Sequence, residues 1–376
     1  MTKLDFMIQV FEPKLTRKDR KAVLSAVKNN LISGTSPLIN EFENKLAESF
    51  DRKYAVALSN GTVALEMSLR LLNLKEEDEV ILPSFTIISC LAAVLRAGAK
   101  PVFCDVSLDS WNMTLDNVIE VTTEKTKAVL MVHTYGLTAE ASEIEMFCKD
   151  NNIFLVEDSA EAHGQVYQNR KCGSFGDVST LSFYANKHIT TGEGGAVLTD
   201  NKNFYETLKQ MINLDFKEPN RFNHDNFYWN YRMSSLQAAL GISQIKNLNN
   251  VINLKMKQGQ FYNYLFKNHE NFVKTPLLLN NQTSNHFWVY GLVLNSKINR
   301  EILKKFLSSK NIEVRDFFWP LHLQKALNSK FHLDHLNNSE YIGKQGIYLP
   351  IGSHINKKLQ NFISEMVLEG CSHQII

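Results

Sequence analysis

The stretch DVSTLSFYANKHITTGEGGAVLTD, Asp177 to Asp200, holds one lysine, Lys187, between an apolar run and a glycine turn. "VSTLSFY" (178–184) and "GAVLTD" (195–200) read as strands, because β-branched and aromatic residues are bounded by turn residues. Outward from them lie five more short apolar runs: "YAVAL" (54–58), "EVILP" (79–83), "KPVFCDV" (100–106), "KAVLMVH" (127–133) and "IFLVED" (153–158). Several are apolar on both faces, as strands covered on both sides must be. Between them stand helical patterns at 62–73, 86–97 and 140–151. The alternation predicts an α/β fold with a mostly parallel seven-stranded sheet.

From about Arg232 the period lengthens, and "MSSLQAALGISQIKNLNNVINLKMKQGQFYNYLF" reads as a long helix or a helix pair. Shorter segments follow: "HFWVYGLVL", "REILKKFLSSKNI", "VRDFFWP" and a terminal helix in "KKLQNFISEMVLEG". The expected organisation is a large domain over residues 1–245 and a smaller α+β domain over 246–376.

Composition excludes several classes. Hydrophobic residues are 44%, charged residues 21% and the net charge +2, so no basic footprint announces nucleic acid. Five scattered cysteines without a CxxC pair suggest neither a disulfide framework nor a zinc site. No run approaches the roughly 18 apolar residues of a membrane helix, and a cytoplasmic protein with no membrane or metal partner is expected.

Three signals carry chemistry. In "ALSNGTVAL" a strand ends in Ser59, Asn60, Gly61 and Thr62 and a helix follows, which offers amide donors and the positive helix end to an anion; taken singly, this is a helix cap. In "IFLVEDSAEAHG" an apolar strand delivers Asp158 to its carboxyl end, where open α/β sheets bind ligands; singly, Asp158 is also a cap. Lys187 ends an apolar segment, where desolvation lowers an amine's pKa; singly, it is a snorkelling surface lysine. Taken together, an anion cradle, an acid and a desolvated amine are the parts that hold pyridoxal phosphate.

These stretches resemble the DegT/DnrJ/EryC1/StrS sugar aminotransferase family, a branch of the fold-type I (aspartate-aminotransferase-like) enzymes. The resemblance runs from "SNGTVAL" through "DEVILPSFT", "VEDSAEAHG", "GSFGDVSTLSFYANKHITTGEGG" and "WNYRMSSLQAALG" to "VRDFFWPLH" and "GIYLP". It implies that Lys187 forms the Schiff base, that Asp158 pairs with the pyridine nitrogen, and that Gly61, Thr62 and Ser182 hold the phosphate. Phe85 would stack on the ring, and Glu161 would sit near its hydroxyl. Asn230 would reach the phosphate of a partner chain, so a homodimer with shared sites is expected. His163, Phe317, Phe318 and His322 are the candidates for lining the substrate pocket. One relative in the family has histidine in place of the lysine and removes water instead of transferring an amine. Here Lys187 is five residues after Ser182 and five before Gly192, and those family offsets select Lys187, not His188. The resemblance further implies transfer from glutamate to a nucleotide-linked keto sugar, GDP-4-keto-6-deoxymannose, for surface polysaccharide such as the O-antigen of lipopolysaccharide. UDP- or dTDP-linked sugars, a keto-octulosonate or a non-catalytic regulator are the alternatives.

Overall fold

The computed structural model describes residues 6–279, 283–327 and 335–374. Two N-terminal helices, α1 (Arg17–Lys28) and α2 (Pro37–Ser49), precede the first strand. Each starts on an oxygen-bearing cap: Thr16 and Asp19 form a capping box, and the Ser36 hydroxyl accepts from the Leu38 amide. The periodic reading does not register these helices, because charges interrupt their apolar stripes.

The larger sheet comprises β1 (Tyr54–Leu58), β2 (Glu79–Pro83), β3 (Lys100–Cys104), β4 (Thr126–Val132), β5 (Phe154–Asp158), β8 (Val178–Ser182) and β9 (Gly195–Thr199). Between β5 and β8 a separate hairpin forms from β6 (Val166–Tyr167) and β7 (Arg170–Lys171). The strand order is β1-β9-β8-β5-β4-β2-β3. All strands run parallel except β9, which is antiparallel to both neighbours. The seven expected strands all form, within two residues of the expected ends.

Helices α3 (Gly61–Arg70), α4 (Ile88–Arg96), α5 (Leu115–Val121), α6 (Ala141–Asp150) and α7 (Lys202–Met211) cover the sheet. Buried Met67, Leu69, Val94 and Val197 fill one layer, and Met131, Ile144 and Leu155 another. Each such side chain contributes roughly 1.5–3 kcal/mol by leaving water. Parallel pairing gathers the carboxyl ends of β1, β2, β4, β5 and β8 along one edge, where their turns converge.

The long periodic stretch is a helix pair, α8 (Ser235–Ile245) and α9 (Leu248–Phe266). A second, antiparallel sheet follows in the order β10-β11-β13-β12, from β10 (Val273–Lys274), β11 (Tyr290–Leu294), β12 (Arg315–Asp316) and β13 (Gly346–Leu349). It is covered by α10 (Arg300–Ser309), α11 (Asn337–Gln345) and α12 (Lys357–Ser372). Ile8 belongs to this second core: it bridges Ile312, and its amide donates to the Asn311 carbonyl at 2.8 Å. The N-terminal strap therefore packs with the small sheet, although the sequence reading assigns residues 1–245 to the large unit. No helix among the described residues is long and apolar enough to cross a membrane.

Candidate active site

At the carboxyl edge lies a cavity of about 550 Å³ whose lining includes Gly61, Thr62, Asp158, Glu161, Ser182 and Lys187. Six residues from three separate sequence stretches thus meet in one place.

One end is an anion cradle. The Asn60 side chain caps α3 by accepting from the Val63 amide at 2.9 Å. No acidic residue occupies the first turn of this helix, so its positive end is not neutralised. A Cβ on Gly61 would lie 2.7 Å from the Ser182 Cβ. Glycine is required here by space rather than by φ, and it lets the helix start approach the β8 end. The Thr62 hydroxyl lies 2.8 Å from that of Ser89, which adds a second hydroxyl beside the helix start.

The other end holds a buried acid and a buried amine. Asp158 stands at the last position of β5, fully inside the protein. Its Oδ1 accepts from the Ala160 amide at 3.0 Å and the Thr180 hydroxyl at 3.2 Å, while among the described residues Oδ2 has only the Cys90 thiol at 3.5 Å. One carboxylate oxygen is thereby pinned and the other is left weakly engaged. Burial raises the Asp158 pKa, against the pull of Lys187. Lys187 is itself buried, and burial lowers its pKa while Glu161 and Asp158 oppose the fall. Its Nζ lies 3.5 Å from Glu161 Oε1 and 3.7 Å from the centre of the Trp288 ring. Glu161 accepts from the Tyr135 amide at 3.0 Å through Oε2. Burial pushes the Glu161 carboxyl up to about 7 despite the neighbouring lysine. This carboxylate changes charge near neutrality, one hydrogen-bond length from the amine.

The residues present fit pyridoxal phosphate. The cradle matches a phosphate dianion, the open Asp158 oxygen matches a protonated ring nitrogen, and the desolvated Lys187 amine matches an aldehyde.

Five expected positions lie elsewhere. Phe85 is fully buried behind the cavity wall, edge-on to Tyr135 at 5.6 Å. The turn after β2 presents Thr86 and Ile87 to the cavity instead, and Ile87 is the apolar side chain with free surface. His163 is buried between Phe50 and Phe183, and its Nδ1 accepts from the Ile189 amide at 3.3 Å. Burial lowers its pKa to about 3, so it is neutral and faces the core, not the cavity. Phe317 is buried against Trp111 and Tyr135. His322 is held by the Ser84 hydroxyl at 2.6 Å and Glu340 at 3.3 Å, which anchors its loop to the β2 turn. Of the "FFWPLH" group the cavity wall takes Phe318. Asn230 is exposed and pairs through its backbone with Asn213, away from the cavity of its own chain.

Trp288, Asn186 and Tyr348 also line the cavity, and sequence reasoning missed them. Trp288 sits in "HFWVYGLVL", where an aromatic at a strand start reads as core. Its indole N–H donates to the Asn186 carbonyl at 3.2 Å, which fixes the ring over Lys187.

Buried His133, Glu157 and Cys172 lie close enough together to suggest a metal. Their hydrogen bonds argue otherwise. His133 Nδ1 accepts from the Ala139 amide, so Nε2 is the protonated nitrogen and donates to Glu157 at 3.0 Å. Glu157 also accepts from Ser159, Ser179 and the amides of Gly173, Phe175 and Gly176. Burial opposes this charge, but the donors, His133 first, hold its pKa at about 2. The group is a satisfied structural network.

Residues 13–368 match the model of the DegT/DnrJ/EryC1/StrS aminotransferase family. A GDP-perosamine synthase of Escherichia coli O157:H7 is 34% identical over 96% of this chain and 98% of its own length. A dTDP-4-dehydro-2,3,6-trideoxy-D-glucose 4-aminotransferase of Saccharopolyspora spinosa is 30% identical over 84% of this chain and 85% of its own. The solved structure of Helicobacter pylori PseC, described as an aminotransferase involved in pseudoaminic acid biosynthesis, superposes with a TM-score of 0.93. It covers 98% of this chain and 100% of its own at 24% identity, a likeness of fold.

Proposed function

The chain belongs to the DegT/DnrJ/EryC1/StrS family of pyridoxal phosphate-dependent sugar aminotransferases, and from that membership we propose that it moves an amino group from glutamate to GDP-4-keto-6-deoxymannose, yielding a 4-amino sugar for surface polysaccharide. The reading is carried by one observation: Lys187, Asp158 and the Gly61–Ser182 cradle line a single cavity. The 34% identity to a GDP-perosamine synthase supports this acceptor. The relative acting on a dTDP sugar supports a second reading, a dTDP-linked acceptor.

When bound, pyridoxal phosphate supplies an aldehyde that captures amines and a ring that takes up an electron pair. The chain's own residues do the rest. The α3 start, Thr62 and Ser182 would hold the phosphate, and the open oxygen of Asp158 would keep a proton on the ring nitrogen. Ile87, which lines the cavity where Phe85 does not, would supply the apolar contact to the ring. Lys187 Nζ takes and returns the substrate proton as general base and acid, and Glu161 at 3.5 Å serves as the carboxylate that shares its proton. Trp288 excludes water from one side of that amine. We also assign the site to a homodimer in the cytoplasm, with Asn230 completing the partner's phosphate end, and place the division between large and small units near the α8–α9 junction.

The test is a panel of GDP-, UDP- and dTDP-linked 4-keto sugars, each incubated with coenzyme-loaded protein and glutamate and followed by mass spectrometry. Amination of GDP-4-keto-6-deoxymannose, lost in Lys187→Ala, is expected. Exclusive amination of a dTDP sugar selects the second reading, and deoxygenation without nitrogen gain overturns both.

A further inference from the structure

Lys187 separates the coenzyme cavity from a second chamber of about 300 Å³, lined among others by Lys14, His188, Asn247, Asn250 and Lys255. Its walls are the N-terminal strap, the loop after Lys187, the α8–α9 junction and residues 351–353. We propose that this chamber binds a small oxyanion, a phosphate or a carboxylate. The inference does not depend on the acceptor proposed above.

Two side chains carry it. His188 is 3% exposed, and among the described residues its ring has no partner beyond the His163 backbone. An imidazole buried with a ring nitrogen unmet is costly, and this one lines the chamber. Lys255 is 8% exposed and, among the described residues, donates to a single acceptor, the Trp288 carbonyl at 2.8 Å. An ammonium has three donors, so two are left for a guest. The chamber also borders the first two turns of α9, whose N-terminus has no side-chain cap, and such an end favours negative charge. Lys14 adds a cation at the exposed rim, where Glu12 is the one acid among the lining residues.

The groups facing this point are mostly basic. Lys255 presses first on His188, the neutral rings of His163 and His286 face it as well, and Lys187 presses on Lys255. Burial and Lys187 together bring Lys255 down to about 7. An anion among these groups reverses the pressure, so its binding restores the lysine's proton. At a pH above the Lys255 midpoint, binding therefore takes up a proton.

The experiment titrates coenzyme-loaded protein with sulfate, which does not itself change charge in this range, by calorimetry in two buffers of different ionisation heat. Saturable binding with proton uptake is expected. Lys255→Met weakens it at least roughly tenfold, the scale of a lost charged hydrogen bond, and removes the proton uptake. His188→Phe weakens it as well. Should Lys255→Met fail to fold, the exposed Lys14→Ala reads the same site: sulfate binds several-fold more weakly while proton uptake persists. Absence of saturable binding, or binding unchanged in Lys255→Met and in Lys14→Ala, overturns the proposal and leaves a chamber of water. A nucleoside diphosphate that competes with sulfate identifies the guest as a substrate phosphate, whereas simultaneous binding identifies a free anion.

Discussion

Replacing Glu161 by glutamine removes a carboxylate whose Oε1 lies 3.5 Å from Lys187 Nζ while keeping its shape. Both side chains are less than a tenth exposed, so solvent screening is weak. Two unit charges at that distance interact by about 5 kcal/mol in an effective dielectric near 20. Glu161 ionises at about 7, so at neutrality roughly half the molecules carry its charge, which leaves about 2 kcal/mol, or ~1.5 pH units on the amine. A nearby carboxylate stabilises the protonated amine, so its removal lowers the Lys187 pKa. The amine of Glu161→Gln then reacts at more acidic pH. The measurement is the pH dependence of Lys187 acylation in coenzyme-free protein, read by peptide mass spectrometry, with the rate of coenzyme capture as a second trace. A midpoint that stays in place or moves upward refutes the reasoning, because the amine would then not sense the carboxylate.

Three further outcomes are expected. Glu157 holds a folded pKa of about 2 against an ordinary value of 4.5, a linkage of ~3 kcal/mol; its stabilisation is complete above the unfolded value and is lost as pH falls through the folded one. Thermal unfolding of Glu157→Gln against the parent protein should therefore show a gap that closes in strong acid, and a constant gap rules this out. Gly61→Ala places a methyl 2.7 Å from the Ser182 Cβ; coenzyme affinity should fall at least roughly tenfold with an overpacking cost of about 1–3 kcal/mol, and unchanged binding by equilibrium dialysis contradicts a cradle at that point. If Asn230 serves the partner's site, Lys187→Ala and Asn230→Ala are each inactive as homodimers, and a random equimolar mixture recovers about one quarter of parent activity by complementation across a two-fold interface; no recovery argues for sites made from one chain.

The parallel strands were legible because each is a short run apolar on both faces, and that pattern has few other homes. Asp158 was legible for a related reason, since it ends such a run at the carboxyl edge, whereas Lys187, five residues beyond the end of β8, was picked out by its offsets from Ser182 and Gly192 in the family resemblance. What sequence could not supply was direction within a turn. Phe85, Thr86 and Ile87 are consecutive, and only the backbone path after β2 decides that Ile87 meets the cavity while Phe85 turns into an aromatic core. His163 was misplaced by the same ambiguity, since the turn after β5 sends it between Phe50 and Phe183. Trp288 was hidden by distance, being brought over Lys187 from the beginning of the second sheet. The helices α1 and α2 were obscured by charges on their exposed faces, although their caps at Thr16 and Ser36 are readable.

The single reversed strand, β9, also dictates an order of events as the chain leaves the ribosome. Strand β1 touches the sheet through β9 alone among the larger sheet's strands, so residues 54–58 wait for residues 195–199 before they can join it. Until then the nascent chain carries an unmated N-terminal ribbon with an open edge, the kind of surface that invites wrong pairing. Binding competence therefore arrives late in synthesis, when the hydroxyl of Ser182 and the amides at Gly61 first become neighbours.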